Sequence, residues 1–119
     1  MPLANVKMTV RKAGSSASII DIEGEVSAFA EQVLSEAYSQ ASTNGVGAVL
    51  LNFQRLEYMN SSGIGLLVTT LIRAKCQGQK LLVFGLSEHY RHIFELTRLN
   101  EAIGVYGNEA EALAAAKAA

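Results

Sequence analysis

The stretch of residues 47–85 constrains the fold most, because two short apolar runs flank one helical pattern. Residues 47–53 and 80–85 are nearly continuous apolar runs, which are typical of strands covered on both faces. Between them lie a predicted loop at 54–59 and an apolar helical pattern over about 64–77. We therefore predict a βαβ unit, whose two strands are parallel and whose crossover is right-handed.

The patterns on either side of this unit complete an α/β domain. Residues 6–12 alternate apolar and polar side chains, and a strand at 18–24 follows a short turn, so we expect an antiparallel hairpin. Apolar side chains repeat at helical spacing at Phe29, Val33, Ala37 and Ala41, and again at Ile64, Leu67, Val68, Leu71 and Ile72. The remaining predicted elements are helices at 29–43, 88–98 and 109–118 and a short edge strand at 103–106. The expected fold is a single α/β domain over 1–119, a mixed, mainly parallel sheet of about four to five strands with about four helices.

Composition narrows the classes of function. Half of the residues are hydrophobic and the net charge is −1, which leaves no electrostatic footprint for nucleic acid or for an anionic membrane. Cys76 is the only cysteine, so an internal disulfide and a cysteine-based metal site are both excluded. No signal-peptide pattern and no apolar segment near the ~20 residues that span a bilayer are present. The expected location is the cytoplasm.

The reactive side chains do not predict an enzyme. His89 and His92 share a predicted helix with Glu88 and Glu95, but Arg91 lies among them. A metal site needs a more complete ligand set, so a solvated helix face is the favoured interpretation and no metal or cofactor is expected. The other candidate patterns are incomplete as well, because a hydrolase elbow needs glycine two residues before its serine and a dinucleotide fingerprint needs its glycines directly after a strand.

Ser61 and Ser62 stand at the start of the second predicted helix. Serine is a preferred N-cap, because its oxygen accepts a hydrogen bond from the free N–H groups of the first turn. The same N–H groups and the helix dipole favour an anion there, so a phosphate on either serine is a second interpretation. A phosphate would add nearly two negative charges and disrupt a docked partner. Gly63 and Gly65 would then give a partner's backbone room to approach the helix.

These residues resemble those of the STAS family, the anti-sigma factor antagonists of bacterial partner-switching systems. The segment Asn60-Ser61-Ser62-Gly63-Ile64-Gly65 looks like the Asp-Ser-Ser/Thr-Gly-Leu/Ile-Gly motif of that family. Gly24-Glu25-Val26 looks like the Gly-Glu-Leu/Val turn before its first helix, and residues 106–113 look like its last helix entry. The resemblance covers about residues 5–117.

The resemblance implies a STAS-like sheet with helices mainly on one side and no enzymatic activity. In such a system the unphosphorylated protein binds an anti-sigma factor that is also a serine kinase, and this frees a sigma factor. The kinase phosphorylates a serine at the start of the second helix, which breaks the complex, and a serine phosphatase restores it. The matching acceptor is Ser62, with Ser61 as the alternative. The implied partner-binding residues are Asn60, Ser61, Ser62, Gly63, Ile64, Gly24, Glu25 and Ser27.

Two positions depart from the family pattern. Asn60 and Ser27 stand where the family usually has Asp. Asn60 lacks a carboxylate that would repel a neighbouring phosphate, but it keeps a hydrogen-bonding side chain that caps a helix well. Ser27 also remains a cap. The alternative function is a non-switched STAS scaffold subunit in a stressosome-like or lipid-transport assembly.

Overall fold

The computed structural model describes residues 5–117 and contains a mixed sheet with strands in chain order. The strands are β1 (Val6–Ala13), β2 (Ala17–Val26), β3 (Ala48–Met59), β4 (Lys80–Phe84) and β5 (Gly104–Tyr106). The helices are α1 (Glu31–Ala41), α2 (Ser61–Cys76), α3 (Glu88–Leu96) and α4 (Glu109–Lys117), with 3-10 turns at Ala28–Ala30, Thr43–Gly45 and Leu99–Glu101. Only the β1–β2 pair is antiparallel in this sheet. The predicted hairpin, the βαβ unit and the mainly parallel sheet are confirmed.

The predicted loop at 54–59 is wrong, because β3 continues through it to Met59. After a register shift, this second half of β3 pairs in parallel with β2, with Arg55 opposite Glu23 and Met59 opposite Val26. Strand β4 pairs with β3 only as far as Asn52. The second half of β3 therefore has a neighbouring strand on one side only, and most of its side chains are polar. The apolar run in the sequence stops at Phe53, whereas the strand continues to Met59.

The sheet buries a core on each of its two faces. Helices α1, α2 and α3 cover one face, and α4 alone covers part of the other, which agrees with the expectation that the helices lie mainly on one side. The residues of the first core include Ile20, Ile22, Val49, Leu51, Phe53, Val83, Tyr38, Leu67 and Phe94. The residues of the second include Ile19, Leu50, Leu82, Phe84 and Ala112. Strand residues alternate between the two cores, because successive side chains of a strand point to opposite faces.

The first helix begins later than its apolar pattern predicts. Ser27 caps a short 3-10 turn, its Oγ accepting a hydrogen bond from the Phe29 N–H at 3.3 Å, and α1 starts only at Glu31. The predicted cap at Ser27 is thus confirmed for this turn. Phe29 lies before the regular helix, so helical spacing does not place it in the core, and its side chain is 59% exposed.

A polar network ties four elements together on the α4 side of the sheet. The Arg11 guanidinium on β1 donates to both carboxylate oxygens of Asp21 on β2, at 2.7 and 3.0 Å. Arg11 also donates to Glu109 of α4 at 2.6 Å, and the Asn52 amide of β3 donates to Asp21 at 2.7 Å. The hydrogen bonds from Arg11 outweigh the desolvation of the carboxyl group and hold the pKa of Asp21 below its ordinary value.

Replacing Asp21 with Asn should lower the free energy of unfolding by roughly 1 kcal/mol at neutral pH, since the ion pair is partly exposed and screened. Because the folded-state pKa lies below the ordinary value of 3.8, the stabilisation is present above that value. It is lost as the pH falls through the folded-state pKa. Urea denaturation of wild type and variant across the acidic range measures the difference. A gap that stays constant into strong acid, or one that persists in an Arg11→Gln background, would contradict the pairing.

Candidate functional site

Asn60 is the N-cap of α2. Its backbone is extended, and its side-chain Oδ1 accepts a hydrogen bond from the Gly63 N–H at 2.9 Å. The Asn60 carbonyl accepts the first helical hydrogen bond, from Ile64, at 3.0 Å. The interpretation of the two serines as caps is therefore wrong. Asparagine is as good a cap as serine, and it stands one position earlier, three residues before Gly63, where the acceptor is needed.

Ser61 and Ser62 are instead the first two residues of α2, and both are exposed. Within residues 5–117, no group forms a hydrogen bond with either hydroxyl or with either backbone N–H. The first turn also contains no acidic residue. Free N–H donors at a helix N-terminus, without a competing carboxylate, form an environment that favours an added negative group.

The start of α2 lies tightly against the end of β2. Gly63 is buried, and a Cβ at this position would meet the carbonyl oxygen of Val26 and lie 2.8 Å from the Met59 side chain. The space beside Gly63 is thus filled by the protein itself, which corrects the expectation that it makes room for a partner. At Gly65 no atom lies within 4 Å of the Cβ position, so room for a partner exists there.

The end of β2 and the end of β3 form one edge of the site. Glu25 pairs with Tyr58 and Val26 pairs with Met59, so the two motifs that are distant in sequence lie side by side. Glu25 is exposed, whereas Gly24 is buried with a φ of 97° and a Cβ there would collide with the Asn5 carbonyl oxygen. Glu25 is therefore accessible to a partner, whereas Gly24 is needed for the close packing of the strand against Asn5.

Exposed apolar side chains occur on α2 and on the segments that adjoin its start. Tyr58, 52% exposed, precedes Asn60, and Phe29 lies in the turn Ala28–Ala30, which contacts α2. Val68 and Ile72 are one helical turn apart on α2 and are 39% and 58% exposed. We call the set of these exposed residues the α2 surface, which consists of Phe29, Tyr58, Ser61, Ser62, Gly65, Val68 and Ile72.

Three members of the α2 surface belong to the apolar helical repeats of the sequence. Phe29, Val68 and Ile72 were assigned to apolar helix stripes, but each is exposed. A signal was present in α2, because its apolar positions span a wider arc than one buried face needs. Exposed apolar side chains one helical turn apart, such as Val68 and Ile72, are the kind of area that interaction surfaces use. The helical pattern therefore predicts α2 correctly but makes its buried side too wide, because Leu67 is buried whereas Val68 and Ile72 are exposed.

The histidine face of α3 lies outside the α2 surface. His92 Nδ1 is 3.9 Å from a carboxylate oxygen of Glu95, and both side chains are exposed. No group of three or more potential ligands capable of holding a metal ion is found among residues 5–117. Across the same residues, no helix combines the length and the apolar character needed to cross a membrane.

Substituting Gly63 with Ala should destabilise the protein by about 1–3 kcal/mol, because the new Cβ must displace the backbone of β2. Gly65→Ala is the matched control on the same helix. Its Cβ enters open space, so removing a helix-interior glycine should raise stability by roughly 0.5–1 kcal/mol. Urea denaturation of both variants tests the packing, and equal effects at the two positions would contradict it.

Asn60→Ala should lower stability by about 1 kcal/mol, because the Gly63 N–H loses its cap. Asn60→Asp should retain wild-type stability or exceed it slightly, since the carboxylate also accepts this hydrogen bond and interacts well with the helix dipole. Thermal denaturation gives the comparison. A larger loss from Ser61→Ala or Ser62→Ala than from Asn60→Ala would show that a serine is the cap after all.

The chain is similar to known proteins in both sequence and fold. An anti-sigma-B factor antagonist of Staphylococcus aureus is 28% identical over 93 residues, covering 77% of this chain and 86% of that protein. The solved structure of an anti-sigma factor antagonist from Mycobacterium paratuberculosis superposes with a TM-score of 0.81 at 18% identity, covering 95% of each chain. The phosphorylated form of the Bacillus cell fate determinant SpoIIAA superposes with a TM-score of 0.69 at 23% identity, covering 92% of this chain and 98% of that one.

These structural likenesses show a shared fold. The family model described as the STAS domain matches residues 7–112, which is most of the sequence. The match includes the strand β3, the cap Asn60 and the two exposed serines at the start of α2. The chain therefore belongs to the STAS domain family.

Proposed function

We propose that this protein is an anti-sigma factor antagonist that binds its partner through the α2 surface. The observation that carries the proposal is the exposure of two unbonded serine hydroxyls in the first turn of α2, a helix that also exposes the apolar side chains of Val68 and Ile72. The names of similar proteins support it, since the Staphylococcus aureus relative is an anti-sigma-B factor antagonist. In this proposal the unphosphorylated protein binds an anti-sigma factor with serine kinase activity, and a sigma factor is released in the cytoplasm.

Phosphorylation of Ser62, or alternatively of Ser61, ends the complex. The phosphate is compatible with the folded protein, because it lies beside the free N–H groups of the α2 N-terminus. It is incompatible with the complex, because docking would remove nearly two negative charges from water and place them against apolar contacts. The same modification thus leaves the domain folded while it removes the binding surface.

The protein itself contributes an acceptor and a docking surface, and we propose no enzymatic activity for it. Asn60 is uncharged, so it caps α2 without repelling a phosphate on the next two residues. The groups that activate the serine hydroxyl and bind ATP belong to the kinase partner. A serine phosphatase removes the phosphate and restores binding. Glu25 and Ser27 extend the proposed contact region along the end of β2.

The test is capture of a partner by unphosphorylated protein in three forms. Wild type and Ser62→Ala should capture the same partner, because both present an uncharged first turn. Ser62→Asp should bind it at least about tenfold more weakly, which corresponds to ~1.4 kcal/mol. Quantitative pull-down followed by a titration with the purified partner measures the affinities. With ATP, the captured kinase should add the mass of one phosphate to wild type.

Ser15→Asp is the matched control, because Ser15 is an exposed serine in the turn between β1 and β2. It adds the same charge away from the α2 surface and should bind as wild type does. Phosphate addition that disappears in Ser61→Ala and persists in Ser62→Ala would identify Ser61 as the acceptor. Equal affinities of Ser62→Ala and Ser62→Asp for the captured partner would contradict the switch and favour the non-switched scaffold subunit.

A further inference from the structure

Tyr90 of α3 forms a hydrogen bond with Met59, the last residue of β3, two positions before Ser61. The Tyr90 hydroxyl accepts a hydrogen bond from the backbone N–H of Met59 at 2.8 Å. Met59 is 4% exposed and Tyr90 is 8% exposed, so water does not compete freely for this bond. A buried N–H that loses its partner is costly. Tyr90 is therefore the acceptor on which the last residue of β3 depends.

Strand pairing explains why a side chain is needed at this point. Successive N–H groups of a strand point to opposite sides. The Asn60 N–H points to β2, where it donates to the Val26 carbonyl at 3.3 Å. The Met59 N–H therefore points to the other side, where β4 pairs with β3 only as far as Asn52. Tyr90 supplies the acceptor that a longer β4 would have supplied.

We propose that Tyr90 is a positioning residue for the α2 surface. Met59 is held from the α3 side by Tyr90, and Asn60 is held from the β2 side by Val26. These two residues come directly before Ser61, so their positions set the angle at which the first turn of α2 leaves the sheet. Tyr90 has no contact with a partner in this role and acts through Met59. This inference rests on the proposed function only in assuming that the positioned first turn of α2 binds a partner.

Tyr90→Phe tests the role, because it keeps the ring in the core and removes only the hydroxyl. The amide hydrogen of Met59 should exchange at least about tenfold faster relative to the core amides of β3, since its acceptor is gone. The backbone NMR resonances from Asn60 to Gly63 should shift as the first turn reorients. In the wild-type protein, the Met59 amide should be among the slowly exchanging hydrogens, a reading that requires no variant to fold.

Tyr38→Phe is the matched control. Tyr38 is 1% exposed and its hydroxyl donates to Gln79 at 2.6 Å, just beyond the C-terminal end of α2. The Tyr38→Phe substitution removes a tyrosine hydrogen bond at the opposite end of α2. It should therefore leave the exchange rate of the Met59 amide and the resonances of the first turn unchanged. Met59 protection that survives in Tyr90→Phe, or equal changes in both variants, would overturn the positioning role.

A second measurement, the affinity for the partner, links the positioning role of Tyr90 to docking. The partner captured in the pull-down should bind Tyr90→Phe at least about threefold more weakly than it binds Tyr38→Phe, and equal affinities would overturn this link. The exchange measurement uses the protein alone. A failure of the proposed anti-sigma function is therefore visible separately, as absence of a captured anti-sigma factor while Met59 still responds to Tyr90→Phe.

Discussion

The parallel pairing of β2 with β3 is the interaction on which the rest of the structure depends. It joins the antiparallel hairpin to the βαβ unit, and its inner residues feed both cores. The pairing continues beyond the register shift to Val26 and Met59, which carries the chain to the start of α2. The start of α2, where we propose the modification, is therefore a continuation of the sheet. Its geometry depends on the same backbone hydrogen bonds that stabilise the domain.

Most of the sheet is predictable from sequence, because buried strands and amphipathic helices leave strong patterns. The runs at 47–53 and 80–85 predict β3 and β4 correctly, although β3 extends further. The second half of β3 has no such signature. Strand β4 ends before it, and most side chains of this half of β3 are exposed. Pairing of that half depends on backbone groups and on the distant residues 23–26, which no local pattern reveals. Phe29 and Ile72 show the same limit, since an apolar side chain does not state whether it faces a core or a partner.

The start of α2 is predictable from sequence, but the identity of its capping residue is not. A polar triplet before a helix predicts a capped N-terminus without saying which side chain is the cap. That choice depends on the extended backbone of Asn60 and on the three-residue reach of its amide to Gly63. Because Asn60 is the cap, the hydroxyls of Ser61 and Ser62 are not needed for capping and are exposed to solvent. The contribution of Tyr90 could not be predicted locally, because it comes from a helix two elements later in the chain.

The position of α4 distinguishes the two faces of the sheet. Helix α4 packs on the sheet face opposite α2, and Arg11 fastens its first turn through Glu109. A bulky group attached at Lys117 would project from the face that the proposed partner does not touch. Immobilisation of the protein through Lys117 would therefore leave the α2 surface accessible to solvent.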